Sequence, residues 1–376
     1  MRRLLRCLLC LALLAGLIPA ARAAQVIPSP QTLTVEGEAV VCDKYNIDGS
    51  NYFKLRDLAC LLNGTTAQFA VYWDAQTATV AIETGLPYDP DGTELTLPAA
   101  DLSGTAVKSS QTIRINGVPC PDLSVYNIGG NNFFRLRELG CLLGFAVDYD
   151  AQTDTAMLSS EPFAPGPDPA LEAGEAWVGT LAAAQRTDQL ILVSGQGGSD
   201  AILAMYQKGP DGAWQQLLRT GAYVGRNGFG KTREGDAKTP RGIYRFTKAF
   251  GIAPDPGSRL PYTQVTADDY WCGDSDDPRY NQFVTRTPAD QFSLEVSEHL
   301  IDYTQSYQYC LHISYNQAGR PHLGSAIFLH CFSANPNTGG CVAVSPEAMV
   351  QILQALGPDC LILLDEGGRL GLYQAP

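Results

Sequence analysis

Ile327-Phe328-Leu329-His330-Cys331-Phe332-Ser333-Ala334-Asn335-Pro336-Asn337-Thr338-Gly339-Gly340-Cys341-Val342-Ala343-Val344-Ser345-Pro346 decides how the C-terminal half is read. The apolar run around His330 reads as a buried strand. Ser345 and Pro346 open a helix, the serine as N-cap and the proline at the first helical position. Met349, Val350, Leu353 and Leu356 supply its apolar face, and Gly357 is the expected stop. His330 and Cys341 are therefore 11 residues apart on a strand–loop–helix. A thiol gains nucleophilic character from a neighbouring imidazole. Two glycines before Cys341 let consecutive amides converge on one point, where the oxyanion of an acyl transfer would need them. The spacing permits this meeting without requiring it. Three plainer arrangements stay open: a structural disulfide at Cys331 or Cys341, a zinc set of His330, Cys331 and Cys341, and an ordinary core histidine.

Working outward, short strand-like runs occur at 189–193, 201–206, 214–218, 242–246, 311–315 and 326–332, with one convincing helix. A mainly-β domain over residues 176–368 follows. His312 reads as a strand residue, His322 as a loop residue, and His299 as part of a helix surface or, following Glu298, as a secondary contributor to the site. Lys231, Asp236, Lys238 and Tyr280 are either cleft-lining residues or solvated loop residues. Gly225-Arg226-Asn227-Gly228-Phe229-Gly230-Lys231-Thr232 matches the phosphate-binding pattern G-x4-G-K-T letter for letter. That chemistry requires a helix directly after the lysine. Gly235, Pro240 and Gly242 leave no room for one, so no nucleotide site is expected.

Upstream the chain repeats itself. Gln31-Thr32-Leu33-Thr34-Val35-Glu36-Gly37 matches Gln111-Thr112-Ile113-Arg114-Ile115-Asn116-Gly117, and Tyr45 through Leu62 matches Tyr126 through Leu143. Trp73-Asp74-Ala75-Gln76-Thr77 meets Tyr149-Asp150-Ala151-Gln152-Thr153. Each copy reads as a strand, a short helix and a hairpin, giving two small α+β modules at 24–98 and 99–160. Leu55, Leu58, Ala59 and Leu62 share one helix face, as do Leu136, Leu139, Gly140 and Leu143. Gly64 and Gly144 are the expected helix stops. Pro162, Pro165, Pro167 and Pro169 mark residues 161–175 as a linker.

Arg2, Arg3 and Arg6, the apolar run from Cys7 to Ala20 and Ala21-Arg22-Ala23 together read as a secretion signal over residues 1–23. Its removal takes the net charge from −13 to −17 and leaves nine of 11 cysteines, an odd number. One thiol should then stay free or pair between chains. A whole-chain charge of −13 argues against nucleic acid or an anionic lipid surface as partner.

At this point two resemblances become specific. Residues 45–58, Tyr-Asn-Ile-Asp-Gly-Ser-Asn-Tyr-Phe-Lys-Leu-Arg-Asp-Leu, resemble the stalk repeats named after the N-terminal domain of copper amine oxidases. These repeats imply spacing or attachment to the cell wall. The two copies hold no histidine, so no copper site is expected.

Residues 177–366 resemble an L,D-transpeptidase catalytic domain of the YkuD type, whose signature is a histidine followed by Ser/Thr-x-Gly-Cys. Supporting segments are Gly221 to Gly225, Glu234 to Gly242, Tyr280 to Phe283, Glu298-His299-Leu300 and Tyr315-Asn316. The resemblance implies Cys341 as nucleophile, His330 as general base and a Cys331 carbonyl that orients the imidazole. It also implies Gly340 and Cys341 amides, with Gly339, as an oxyanion hole, and Thr338 at the Ser/Thr position. Gly339 replaces the family's second histidine, Ala343 replaces its Arg or Asn, and the His-to-Cys gap is short. These departures bear on substrate and acceptor choice. The implied protein is an exported, cell-wall-associated acyltransferase acting on peptidoglycan stem peptides, with no metal or cofactor. A carboxypeptidase using water and a non-catalytic wall-binding protein are the alternatives.

Overall fold

The computed structural model describes residues 24–164 and 174–376. The expected secretion signal and most of the expected linker lie outside these residues. In the N-terminal part, the helices Leu55–Leu61 and Leu136–Leu143 form where the apolar spacing places them. Leu55, Leu58, Ala59 and Leu62 are buried, as are Leu136, Leu139 and Leu143. Gly144 ends the second helix in the left-handed conformation that glycine adopts without steric cost. The first helix ends at Leu62 instead, and Gly64 follows two residues later.

The two copies do not stand as consecutive beads. Thr79–Thr84 of the first pairs in parallel with Thr112–Ile115 of the second, Ile82 opposite Ile115. Reciprocally, Thr155–Ser159 of the second pairs with Thr32–Val35 of the first, Leu158 opposite Val35. Matching side chains seal both junctions: Asn116 Oδ1 accepts from Thr84 N (2.9 Å), and Glu36 Oε1 accepts from Ser160 N (2.6 Å). A third sheet crosses the divide through Phe53 opposite Phe134. A lone hairpin buries too little apolar surface to persist. Exchange joins each hairpin to the other copy in a four-stranded sheet.

The C-terminal part is a nine-stranded sheet that closes on itself. The strand Gly242–Gly251 performs the closure. Its first half pairs with Leu361–Glu366 and its second with Cys310–Ile313, with a register shift between Phe246 and Lys248. An extra residue bends a strand and lets it serve two neighbours. Strands Gln189–Gly197, Asp200–Lys208 and Trp214–Tyr223 run several residues beyond the expected apolar runs. Their polar ends are held by continuous ladders.

The helix Pro346–Ala355 has Ser345 Oγ accepting from Ala348 N at 3.2 Å. Its buried face is Met349, Ile352, Leu353 and Leu356, with Val350 turned partly outward. Gly357 is not the stop: Leu356 leaves the helix in an extended conformation, and Gly357 N donates to Gln189 Oε1.

The N-terminal part is docked on the barrel, and one apolar core runs through both. Asn116 Nδ2 donates to Ile243 O (2.9 Å), Ser314 Oγ donates to Asn116 O (2.7 Å), and Thr84 Oγ1 donates to Arg241 O (2.9 Å). Arg369, buried, donates to Gly144 O and Ser160 O and pairs with Asp365 and Glu161. A spacer that holds the barrel at a distance does not describe this geometry.

Candidate active site

His330 lies on the strand Phe328–Cys331, between Cys310–Ile313 and Val342–Val344. The last pairing is parallel, with Leu329 opposite Val342 and His330 opposite Ala343. Cys341 is the residue before that neighbour begins, level with Phe328. Side chains two apart on a strand share a face, so His330 and Cys341 are diagonal neighbours on one side of the sheet. The loop that carries the chain across is pinned on both sides. Thr338 N donates to Val224 O (3.0 Å), and Arg226 N donates to Thr338 O (2.9 Å).

Here the G-x4-G-K-T segment finds its use. It continues as loop to Gly242, and Gly225 bridges to Thr338. A Cβ at Gly225 would strike Ala237 O at 2.5 Å. Lys231, buried, donates to Asp236 Oδ1 at 3.1 Å. The other Asp236 oxygen accepts from Thr232 N and Arg233 N. Of the residues expected to line a cleft, Lys231 does so, while Asp236 and Tyr280 brace it from behind.

His330 Nδ1 donates to Cys331 O at 2.7 Å. This bond sets the tautomer and leaves Nε2 as the basic nitrogen. Burial pushes the imidazole down to about 4, against the pull of the Cys331 carbonyl. The Cys341 thiol is pushed up to about 12, chiefly by burial and then by the charge of Glu298; the Phe328 amide and Lys231 oppose the shift. Cys341 Sγ accepts from Phe328 N (3.3 Å) and donates to Ala326 O (3.2 Å). At rest the pair is a neutral thiol beside a neutral imidazole, so the proton must leave as the sulfur attacks.

Thr338 Oγ1 donates to Cys341 O (2.7 Å) and accepts from Gly340 N (3.1 Å). The Gly340 amide is thereby occupied and does not face an oxyanion, contrary to expectation. Among the described residues, the Gly339 and Cys341 amides have no hydrogen-bond partner. Gly340 needs its φ of +142°, and a Cβ there would meet Lys238 O at 2.7 Å. Around Gly339 nothing lies within 4 Å, so a side chain fits.

A cleft of about 860 Å³ opens over the pair. Beside the loop residues it is walled by Glu298, Tyr303, Tyr307, Trp271 and Glu234. Residues 199–362 match the YkuD family, the L,D-transpeptidase catalytic domain. The match encloses the histidine strand, the Cys341 loop and every residue of the cleft wall. The helical cell shape determining protein Pgp2 from Campylobacter jejuni is similar at 16% identity over 48% of each chain, with a TM-score of 0.26. The chain thus spans about half the length of that protein. No curated protein matches it.

The remaining histidines of the L,D-transpeptidase region divide cleanly. His312 is a strand residue, packed at a tilt against Trp271 and pushed down to about 3 by burial. His322 is in a loop at the cleft rim, near Ser275 Oγ. His299 is not on a helix surface; it ends the short strand Glu298–His299, stacks on Tyr270 and bonds Asp302 and Ala267 O. All nine cysteines of the described residues are free thiols, and none of their groups with His, Asp or Glu is placed to hold a metal ion. Glu298 and Tyr307 escaped sequence reasoning as site residues. Glu298 carried a signal in its family-like segment, whereas Tyr307 carried none.

Proposed function

We propose that this chain is an exported L,D-transpeptidase that cross-links peptidoglycan through a Cys341 thioester. The observation that carries the reading is the Nδ1–carbonyl bond of His330, which aims a proton-free Nε2 into the cleft that Cys341 lines. Cys341 Sγ attacks a stem-peptide carbonyl carbon while Nε2 takes the thiol proton. The carbonyl oxygen becomes an oxyanion, for which the Cys341 and Gly339 amides, unclaimed within the fold, are the donors. Collapse breaks the C–N bond, and His330 returns the proton to the departing D-amino acid. The acyl group then sits on sulfur until an amine from a second stem displaces it. Cys331 acts through its carbonyl alone, holding the imidazole, and Thr338 holds the loop. The N-terminal repeats would add contact with the wall.

The test is mass spectrometry of the protein after incubation with a purified tetrapeptide stem. An adduct on Cys341 that is absent from Cys341→Ala and His330→Ala, with cross-linked product only when an amine is present, supports the reading. Product formation by pure Cys341→Ala protein overturns it. Product that forms only with water identifies a carboxypeptidase.

A further inference from the structure

Aminolysis of a thioester has a proton problem that hydrolysis lacks. At neutral pH the acceptor is an ammonium, with an ordinary pKa of about 10. It must lose one proton to become a nucleophile and a second as its C–N bond forms. His330 can accept the second and hand it to the departing Cys341 sulfur. The first needs another base.

Glu298 occupies the position for it. The residue is on the cleft wall with Cys341 and His330. Its Oε2 accepts from Tyr307 OH at 2.6 Å, and the Tyr307 ring sits edge-on to the His330 imidazole at 5.6 Å. Oε1 has no hydrogen-bond partner among the described residues and is not sealed from solvent, so it is the oxygen open to the cleft. Strand pairing to Trp271 fixes the backbone beneath it. We propose that Glu298 binds the acceptor ammonium and takes its first proton, making this cleft a transferase site and not merely an acylation site. The proton passes from nitrogen to Oε1 and then to solvent. The free amine attacks the thioester carbon, its second proton goes to His330 Nε2, the C–S bond breaks, and His330 reprotonates Cys341.

The surroundings suit the role. Enclosure pushes the Glu298 carboxyl up to about 7, against the Tyr307 hydrogen bond and with a smaller push from the Glu234 charge. Around it stand Tyr307, which donates to Oε2, and Tyr303, Cys341, His330 and Glu234 of the same cleft wall. Lys231, the one lysine or arginine on the cleft wall among the described residues, is already held by Asp236.

This inference rests on the thioester reading, and the experiment separates the two. Glu298→Gln and wild type are acylated by the stem peptide, and the adduct on Cys341 is quantified by intact mass. The thioester is then chased with water alone or with a diamino acid. Expected for Glu298→Gln is a ratio of transfer to hydrolysis, read on the same Cys341 adduct, reduced by about 10²-fold or more near pH 7. The deficit should shrink as pH approaches 10, where solvent deprotonates the acceptor unaided; a structural defect would not recover. Glu298→Asp should retain part of the transfer. Equal transfer by wild type and Glu298→Gln overturns the proposal, and so does an equal loss of hydrolysis and transfer. Failure of the wild type to acylate overturns the thioester reading instead.

Discussion

His330 and Cys341 are neutral in the folded state because their surroundings exclude water, and this has consequences for pH. The imidazole ordinarily titrates near 6.5 and here near 4. An unfolded chain therefore binds a proton in that window which the folded chain refuses. Stability should fall as pH drops from about 6.5 toward 4, by on the order of 3 kcal/mol for His330, with His312 adding to it. Urea midpoints across that range measure it; a midpoint independent of pH would contradict the burial argument. The thiol, near 12, predicts slow alkylation of Cys341 at pH 7 relative to a solvent-exposed cysteine. Rapid stoichiometric labelling at pH 6 would indicate a preformed thiolate. The adjacent glycines should behave oppositely. Gly340→Ala forces a side chain against Lys238 O at a positive φ and should cost about 1–3 kcal/mol with loss of turnover. Gly339→His enters open space and should fold normally, as thermal melting would show.

At the scale of elements, the loop from Gly225 to Thr239 is the part of the site most exposed to misreading. Its letters suggested phosphate; its geometry serves the Cys341 loop. Asp236 is the organising residue. Three amides and the Lys231 ammonium converge on one carboxylate that is almost fully enclosed, and they hold it below the usual range although burial works against them. Asp236→Ala leaves the Lys231 charge buried and unpaired, and such losses cost about 3–5 kcal/mol. Chemical denaturation should show that loss, together with reduced acylation of Cys341. The histidine strand and the capped helix were legible because strong local signals agreed with burial. Gly357 was misread as a stop because a glycine after a helix has more than one use; here a side chain of a distant strand claims its amide. Val350 and Ile352 exchanged roles because both fit the apolar stripe, and only the barrel decides which points inward. Glu298 stayed hidden for a related reason. Its segment resembled the family's, yet a carboxylate becomes a site residue only through what a fold of some 40 intervening residues brings beside it.

For the molecule as a whole, the docked N-terminal part changes what should unfold together. The duplication was plain in the sequence, yet its consequence was not, since similarity between copies says nothing about which strand pairs with which. Asn116 lies at the centre of the junction, bonded to Thr84 of the other copy and to Ile243 and Ser314 of the barrel. Asn116→Ala orphans the buried Thr84 N and Ile243 O at about 1–3 kcal/mol each, while the Ser314 bond to the main-chain carbonyl survives. It should also separate one thermal transition into two, as calorimetry would detect. A single unaltered transition would mean that the junction contributes little. Arg320 stacks over Tyr72 across the same boundary, from the loop that leads to the cleft rim. The N-terminal part and the barrel that carries the cleft are thus one continuous body.

The reciprocal strand exchange carries a further implication. A chain with a single copy would present two unpaired strand edges, at the counterparts of Thr32–Val35 and Thr79–Thr84, each the complement of the other. Two such chains would satisfy both by assembling as a symmetric, intertwined homodimer, with the same pairings now intermolecular. Joining the copies in one chain replaces that second-order encounter by a tether with a high effective concentration. The present arrangement therefore assembles at any dilution, as a dimer of single copies would not.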